Sequence, residues 1–215
     1  MKSSTRILVF LLAATSIACL LGEMYWLWPM RVFTLTVFAP ACCALVGLAL
    51  HNRLRGDGKL YRLVLIGVIG GLVAAVAYDV FRLPFVFSKR WGLDGVIPQL
   101  PLFKVFPMFG AMILGETGNP SLAAHLTGWL YHFSNGATFG VMYGALVNGQ
   151  WRRLWPVAIL FALGLELAML FTPYPATFGI RVTTTFVAVT LAAHAIFGVT
   201  MGRVSARLEG GLAKC

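Results

Sequence analysis

The sequence predicts an all-α integral membrane protein, with about six transmembrane helices and one short re-entrant or interfacial helix in a single polytopic domain over residues 1–215. Three observations predict it. Hydrophobic residues make up 59% of the chain and charged residues 11%, with a mean hydropathy of +0.83, whereas a soluble domain carries roughly 25% charged residues. The apolar residues fall in runs of about 17–25, the length that crosses a bilayer as a helix. The charges gather in short clusters between those runs, as they do in loops that flank spanning helices.

The first span is expected near residues 7–28. Lys2 and Arg6 ahead of Ile7–Leu21 imitate the basic and apolar regions of a signal peptide. The segment Ser16-Ile17-Ala18-Cys19 is a poor cleavage site, however, and the apolar run continues to Trp28 with only Glu23 breaking it, so an uncleaved span is expected. The second and third spans follow near 32–50 and 63–83. Residues 84–121 then form an outer-side loop that contains Pro84, Pro98, Pro101, Pro107 and Pro120 together with Lys89, Arg90, Asp94 and Lys104. Its apolar core, Val105–Leu114, is too short to cross, which predicts the re-entrant or interfacial helix.

Three more spans are expected near 122–147, 155–172 and 183–202. The short turn Asn148-Gly149-Gln150 makes the first two of these antiparallel neighbours. Tyr25, Trp26 and Trp28, and again Trp151 and Trp155, sit where aromatic belts mark the membrane–water interface.

The formal net charge of +10 would suggest nucleic acid in a soluble protein, but basic loops beside apolar spans orient helices and meet anionic lipid headgroups. Nucleic acid is therefore not an expected partner, and the lipid bilayer is. One side of the six-span arrangement holds Lys2, Arg6, the Arg53–Arg62 loop, Arg152, Arg153, Arg203, Arg207 and Lys214; the other holds Arg31, Arg82, Lys89, Arg90, Lys104 and Arg181. The first side has the larger positive count. This predicts a plasma (inner) membrane protein with both termini in the cytoplasm.

Small-residue faces are a second pattern. His132-x-x-x-Gly136-x-x-x-Gly140 and His194-x-x-x-Gly198-x-x-x-Gly202 share one spacing, and Gly67 and Gly71 repeat the glycine part. Such faces let helices approach closely, either within the chain or against a homo-oligomer or membrane-complex partner. The four cysteines, Cys19, Cys42, Cys43 and Cys215, show no C-x-x-C or zinc spacing, and the first three are expected as small hydrophobic core residues.

Ionisable side chains within spans are costly and tend to face a partner or a cavity. The candidates are Asp79, Arg82, His125, His132, Glu166 and His194, with Glu116 nearer an interface. Asp79 and Arg82 are three residues apart and are placed either as an in-helix ion pair or with Arg82 snorkelling to the interface. His125 and His132 share a helical stripe, as do Thr183, Thr190 and His194. Glu166 stands among Leu165, Leu167 and Ala168 with no basic residue in its own span.

Two chemistries fit these residues. Asp79, His132, Glu166 and His194 together suit cation or proton binding, as in a small transporter or channel subunit. His132 and His194 alternatively suit axial ligation of a non-covalent haem, and His125, His132, Glu116, Glu166 and His194 a metal ion. A third possibility is a non-catalytic assembly or scaffold subunit docking through the glycine faces. There is no Walker A motif, dinucleotide fingerprint, G-x-S-x-G elbow or H-E-x-x-H, so an ATP-driven pump, a serine hydrolase or a zincin of familiar type is not expected from this chain.

Overall fold

The computed structural model describes residues 2–212; Lys214 and Cys215 lie outside them. Every regular element among the described residues is helical. Seven helices carry the architecture: α1 Ser3–Met24, α2 Met30–Leu54, α3 Lys59–Phe87, α4 Val105–Leu114, α5 Leu122–Leu146, α6 Val157–Leu170 and α7 Thr184–Leu212. Single helical turns, Trp151–Leu154 and Tyr174–Thr177, join the later ones.

Four of these, α1, α2, α3 and α7, are long and apolar enough to cross a membrane. This is fewer than the six spans expected. Helix α5 has the length, at 25 residues, but His125, His132, Ser134, Asn135 and Thr138 make it the polar wall of the bundle. Helix α6 is apolar but only 14 residues long, about 21 Å at 1.5 Å per residue. Helix α4 forms where the short apolar core predicts it, over 10 residues. Pro84 was expected to open the outer loop, yet α3 continues through it to Phe87, because a proline in the last turn removes only one late hydrogen bond.

The exterior of the bundle is strongly apolar. Leu35, Val46, Val76, Val80, Leu126, Leu130 and Leu160 are all exposed, whereas Asp79, Arg82, Asn135 and Glu166 are buried. Leucines outside and charges inside invert the order of a water-soluble fold, and with the long apolar helices this points to a membrane location.

Helix α3 is central, packed between α5 and α7 with α2 along its side; α5 in turn contacts α1 and α4. Glycine makes the α3–α5 contact possible. A Cβ on Gly71 would overlap the carbonyl oxygen of Gly136, and one on Gly140 would overlap that of Gly67. The same device seats α4 on α5 through Gly110 and Gly128, and α7 on α6 through Gly198 and Gly202. The glycine faces are therefore occupied within the chain, which is the packing alternative of the two the sequence offers.

Side chains from neighbouring helices complete several helix ends. Arg6 donates to the carbonyls of Ala145 at 3.0 Å and Leu146 at 2.9 Å, closing the C-terminus of α5 from α1. Glu23 accepts from the Met30 amide at the start of α2, and Asn52 accepts from Leu60 N at 2.9 Å at the start of α3. Helix α2 widens into a π turn at Thr34–Phe38, just before Pro40, whose ring lacks the N–H that the Thr36 carbonyl would accept in an α-helix. Ser16 Oγ and Thr138 Oγ1, 2.7 Å apart, and the Tyr131 hydroxyl on the Ser16 carbonyl at 2.6 Å tie α1 to α5.

Two sequence expectations change here. Trp151, expected as a belt residue, is 1% exposed and packs beside Tyr143, filling the space that Gly144 leaves. Cys19 is buried, as a core cysteine should be, but Cys42 is half-buried and Cys43 is exposed on the outer face of α2.

Candidate functional site

Helices α3, α5, α6 and α7 bring their ionisable side chains to one level of the bundle. The α3–α5 pair is antiparallel, with Gly67 beside Gly140 and Gly71 beside Gly136, and Asp79, about two turns past Gly71, reaches diagonally to His132, about one turn before Gly136. Their contact is 2.9 Å, from His132 Nε2 to Asp79 Oδ2. The α7–α6 pair is antiparallel in the same way, with Gly202 at Trp155 and Gly198 at Ala158, and Glu166, about two turns past Ala158, reaches back to His194 at 3.3 Å. In both pairs the carboxylate lies about one turn beyond the level of its imidazole, and the close glycine contacts bring the helices near enough for the side chains to span that offset.

Arg82 joins the first pair. Its Nη1 lies 3.4 Å from Asp79 Oδ1, and its Nη2 donates to the Leu102 carbonyl in the connection before α4. The guanidinium lies over the rings of Tyr78, Phe103 and Phe106 at 4.6, 5.0 and 5.5 Å. Snorkelling to the interface, one of the two placements expected for Arg82, does not occur: the residue is 4% exposed, because the connection folds back and supplies both an acceptor and aromatic faces.

Hydrogen-bond partners determine which imidazole nitrogens carry protons. His194 Nδ1 faces two acceptors, the Thr190 carbonyl at 2.9 Å and Glu166. A carbonyl only accepts, so Nδ1 is the protonated nitrogen and Nε2 is left free. His132 is the mirror case, donating from Nε2 to Asp79 and leaving Nδ1 free. Its ring is stacked on Phe106 with centroids 4.3 Å apart.

The two histidines do not face each other across an open gap, as axial ligation of one haem by both would need. Both pack instead against Tyr78 of α3, with ring centroids 6.0 Å away for His132 and 4.9 Å for His194. Each ring already has a carboxylate partner, and helix α3 stands where a macrocycle ligated by both would enter. Among the described residues no three His, Cys, Asp or Glu side chains gather as metal ligands do. The haem and metal expectations gain no support from this arrangement.

A cavity of about 380 Å³ adjoins the pairs. Tyr78, Arg82, His132, Glu166 and His194 line it, as do Thr183 and Thr190 from the polar stripe of α7. Phe106, Phe109, Phe139 and Phe197 form much of the remaining wall. Its rim is made by Pro101 on one connection and by Gly179, Arg181 and Thr183 on another, all of them exposed.

Two candidate ligands lie elsewhere. His125 is exposed near the start of α5, on the stripe of His132 but beyond the packing that covers it. Glu116 serves the helix start: it accepts from Ser121 N at 3.0 Å and Ser121 Oγ at 2.6 Å, while Ser121 Oγ accepts from Ala124 N at 3.1 Å. These bonds favour the carboxylate, so the Glu116 carboxyl sits below its ordinary range. A lowered folded value means that this support is present above the usual glutamate range and is lost as pH falls through the lowered value. Ser121→Ala is expected to cost about 0.5–2 kcal/mol, the range for losing an N-cap, read as a lower melting temperature.

Residues outside the ionisable set complete the site. Tyr78 is the centre on which both imidazoles and Arg82 pack, and Asn135 stands one turn beyond His132 on the cavity wall. The i, i+4 spacing of Tyr78 and Arg82 was the sequence signal for the first. Comparison with protein-family models, with curated proteins and with solved structures returns no match to this chain.

Proposed function

We propose that this chain is a small transporter or channel subunit of the plasma (inner) membrane, in which Asp79, His132, Glu166 and His194 bind a proton or small cation. The observation that carries the proposal is the charge count around one cavity. Two carboxylates share the site with one guanidinium: Asp79 holds Arg82 and His132, and Glu166 holds His194. With both imidazoles neutral the cluster is one positive charge short. Buried net charge is costly, so a proton or a monovalent cation balances it, and such a balancing charge is one that can leave and return.

The membrane arrangement that goes with this reading has six crossing segments, with α4 as the re-entrant helix. Alternating directions support it: α3 runs against α5 and α7, and α6 runs against α7. At about 15 Å, α4 reaches half-way through a hydrocarbon core of about 30 Å. The basic residues at the α2–α3 loop, at the Arg152–Arg153 turn and at the end of α7 favour cytoplasmic termini. The glycine faces, being occupied within the chain, do not favour the scaffold alternative.

The test is proton movement in liposomes that hold the purified chain and an entrapped pH indicator. Under an imposed potential the wild type is expected to pass protons and Glu166→Gln to pass them at least about tenfold more slowly, with unchanged melting and gel-filtration behaviour. A folded Glu166→Gln variant that conducts at the wild-type rate would falsify the assigned role.

A further inference from the structure

The two carboxylates differ in a way that bears on what the cavity accepts. Asp79 has a fixed cation, Arg82, as well as His132. Glu166 has only the imidazole of His194. Glu166 lines the cavity and keeps 9% of its side-chain surface accessible.

Aromatic rings line the same cavity as this carboxylate, with Tyr78, Phe106, Phe139, Tyr174 and Phe197 all on its wall. Ring faces attract a weakly hydrated cation, most strongly when it is desolvated. An alkali or divalent ion needs several oxygen ligands to replace its water, whereas most of this wall is apolar. An organic cation brings its own carbon shell, which suits an apolar wall with a carboxylate in it.

Other charges do not replace that role. Tyr78 from α3, Tyr174 from its single helical turn and His194 from α7 stand near Glu166, and Asp79, Arg82 and His132 form the neighbouring cluster. Arg82 is engaged by Asp79, by the Leu102 carbonyl and by three aromatic rings. Arg181 is exposed at the rim, where salt screens it.

We infer that the cavity takes a monovalent organic cation, an amine or quaternary ammonium with apolar substituents, whose charge sits against Glu166 in place of the balancing proton. The inference rests on the proton-binding reading above and names the substrate class of the same site. The only bonds that change are those of one proton: the cation enters, an O–H or N–H bond of the Glu166–His194 pair breaks, and the proton passes to water.

The probe is benzyltrimethylammonium, added to the purified full chain in weakly buffered detergent solution, with heat of binding and proton release recorded together. Saturable binding is expected, with about one proton released per cation bound, and Glu166→Gln is expected to weaken binding at least about tenfold and to abolish the release. Neopentylbenzene, the uncharged isostere with carbon in place of nitrogen, should fail to displace the probe from the wild type at equal free concentration. Absence of saturable binding overturns the inference, as does equal binding of the isostere or preferential binding of phenylacetate. None of these outcomes touches the proton-binding reading, which fails separately if Glu166→Gln conducts protons like the wild type in liposomes.

Discussion

Replacing Arg82 by methionine is expected to destabilise the protein by about 3–5 kcal/mol, the range for breaking a buried ion pair from one side. Among the described residues the guanidinium is the only fixed cation against Asp79, and it also donates to the Leu102 carbonyl, so its loss leaves Asp79 Oδ1 and that carbonyl without this donor. Protonation of Asp79 relieves part of the first defect but none of the second. Arg82→Lys is expected to recover little, because a single ammonium cannot serve Asp79 and Leu102 at once while stacking on aromatic rings. Adding Asp79→Asn to Arg82→Met should return part of the loss, a coupling that a double-mutant cycle on unfolding midpoints in detergent measures. Additive losses would show that the pair does not act as a unit.

Gly71→Leu is expected to be at least as damaging. Its new Cβ would meet the Gly136 carbonyl, which is backbone and cannot rotate aside, so the helices must separate. Overpacking costs about 1–3 kcal/mol where side chains can yield, and this site is expected to exceed that range. Separation of α3 from α5 also pulls Asp79 from His132, so stability and proton binding should fall together. Gly164→Ala is the control, since nothing lies within 4 Å of its added carbon, and its effect is expected to stay within about 0.5 kcal/mol. Melting curves of the two variants make the comparison.

The helices and their polar residues were legible in the sequence for different reasons. Apolar run length locates α1, α2, α3 and the start of α7 to within a few residues, because crossing a bilayer demands length and hydrophobicity together; α7 itself runs on past the expected end at 202 to Leu212. Run length also places α5 and α6 close to their observed bounds, but α5 trades apolar residues for His132, Asn135 and Thr138 and α6 stops at Leu170, so these two lack the combined length and apolarity of the other four. Ionisable residues at depth pointed correctly to Asp79, Glu166, His132 and His194 as inward-facing. Which of them pair depends on helix rotation and neighbour order, and those follow from glycine contacts between distant segments, Gly71 with Gly136 and Gly198 with Ala158. A list of intramembrane charges contains no such information. Tyr78 was missed because the search weighed charge, whereas its role is to present a ring to three charged or ionisable neighbours at once.

The arrangement of two carboxylate–imidazole pairs makes a direct spectroscopic claim. In a sample labelled with nitrogen-15 at histidine and assigned by single substitutions, His194 should carry its proton on Nδ1 and His132 on Nε2 under conditions where both rings are neutral. Glu166→Gln should shift only the His194 signals and Asp79→Asn only those of His132. A His194 with a bare Nδ1, or a His132 indifferent to Asp79→Asn, would contradict the pairing on which the site is built.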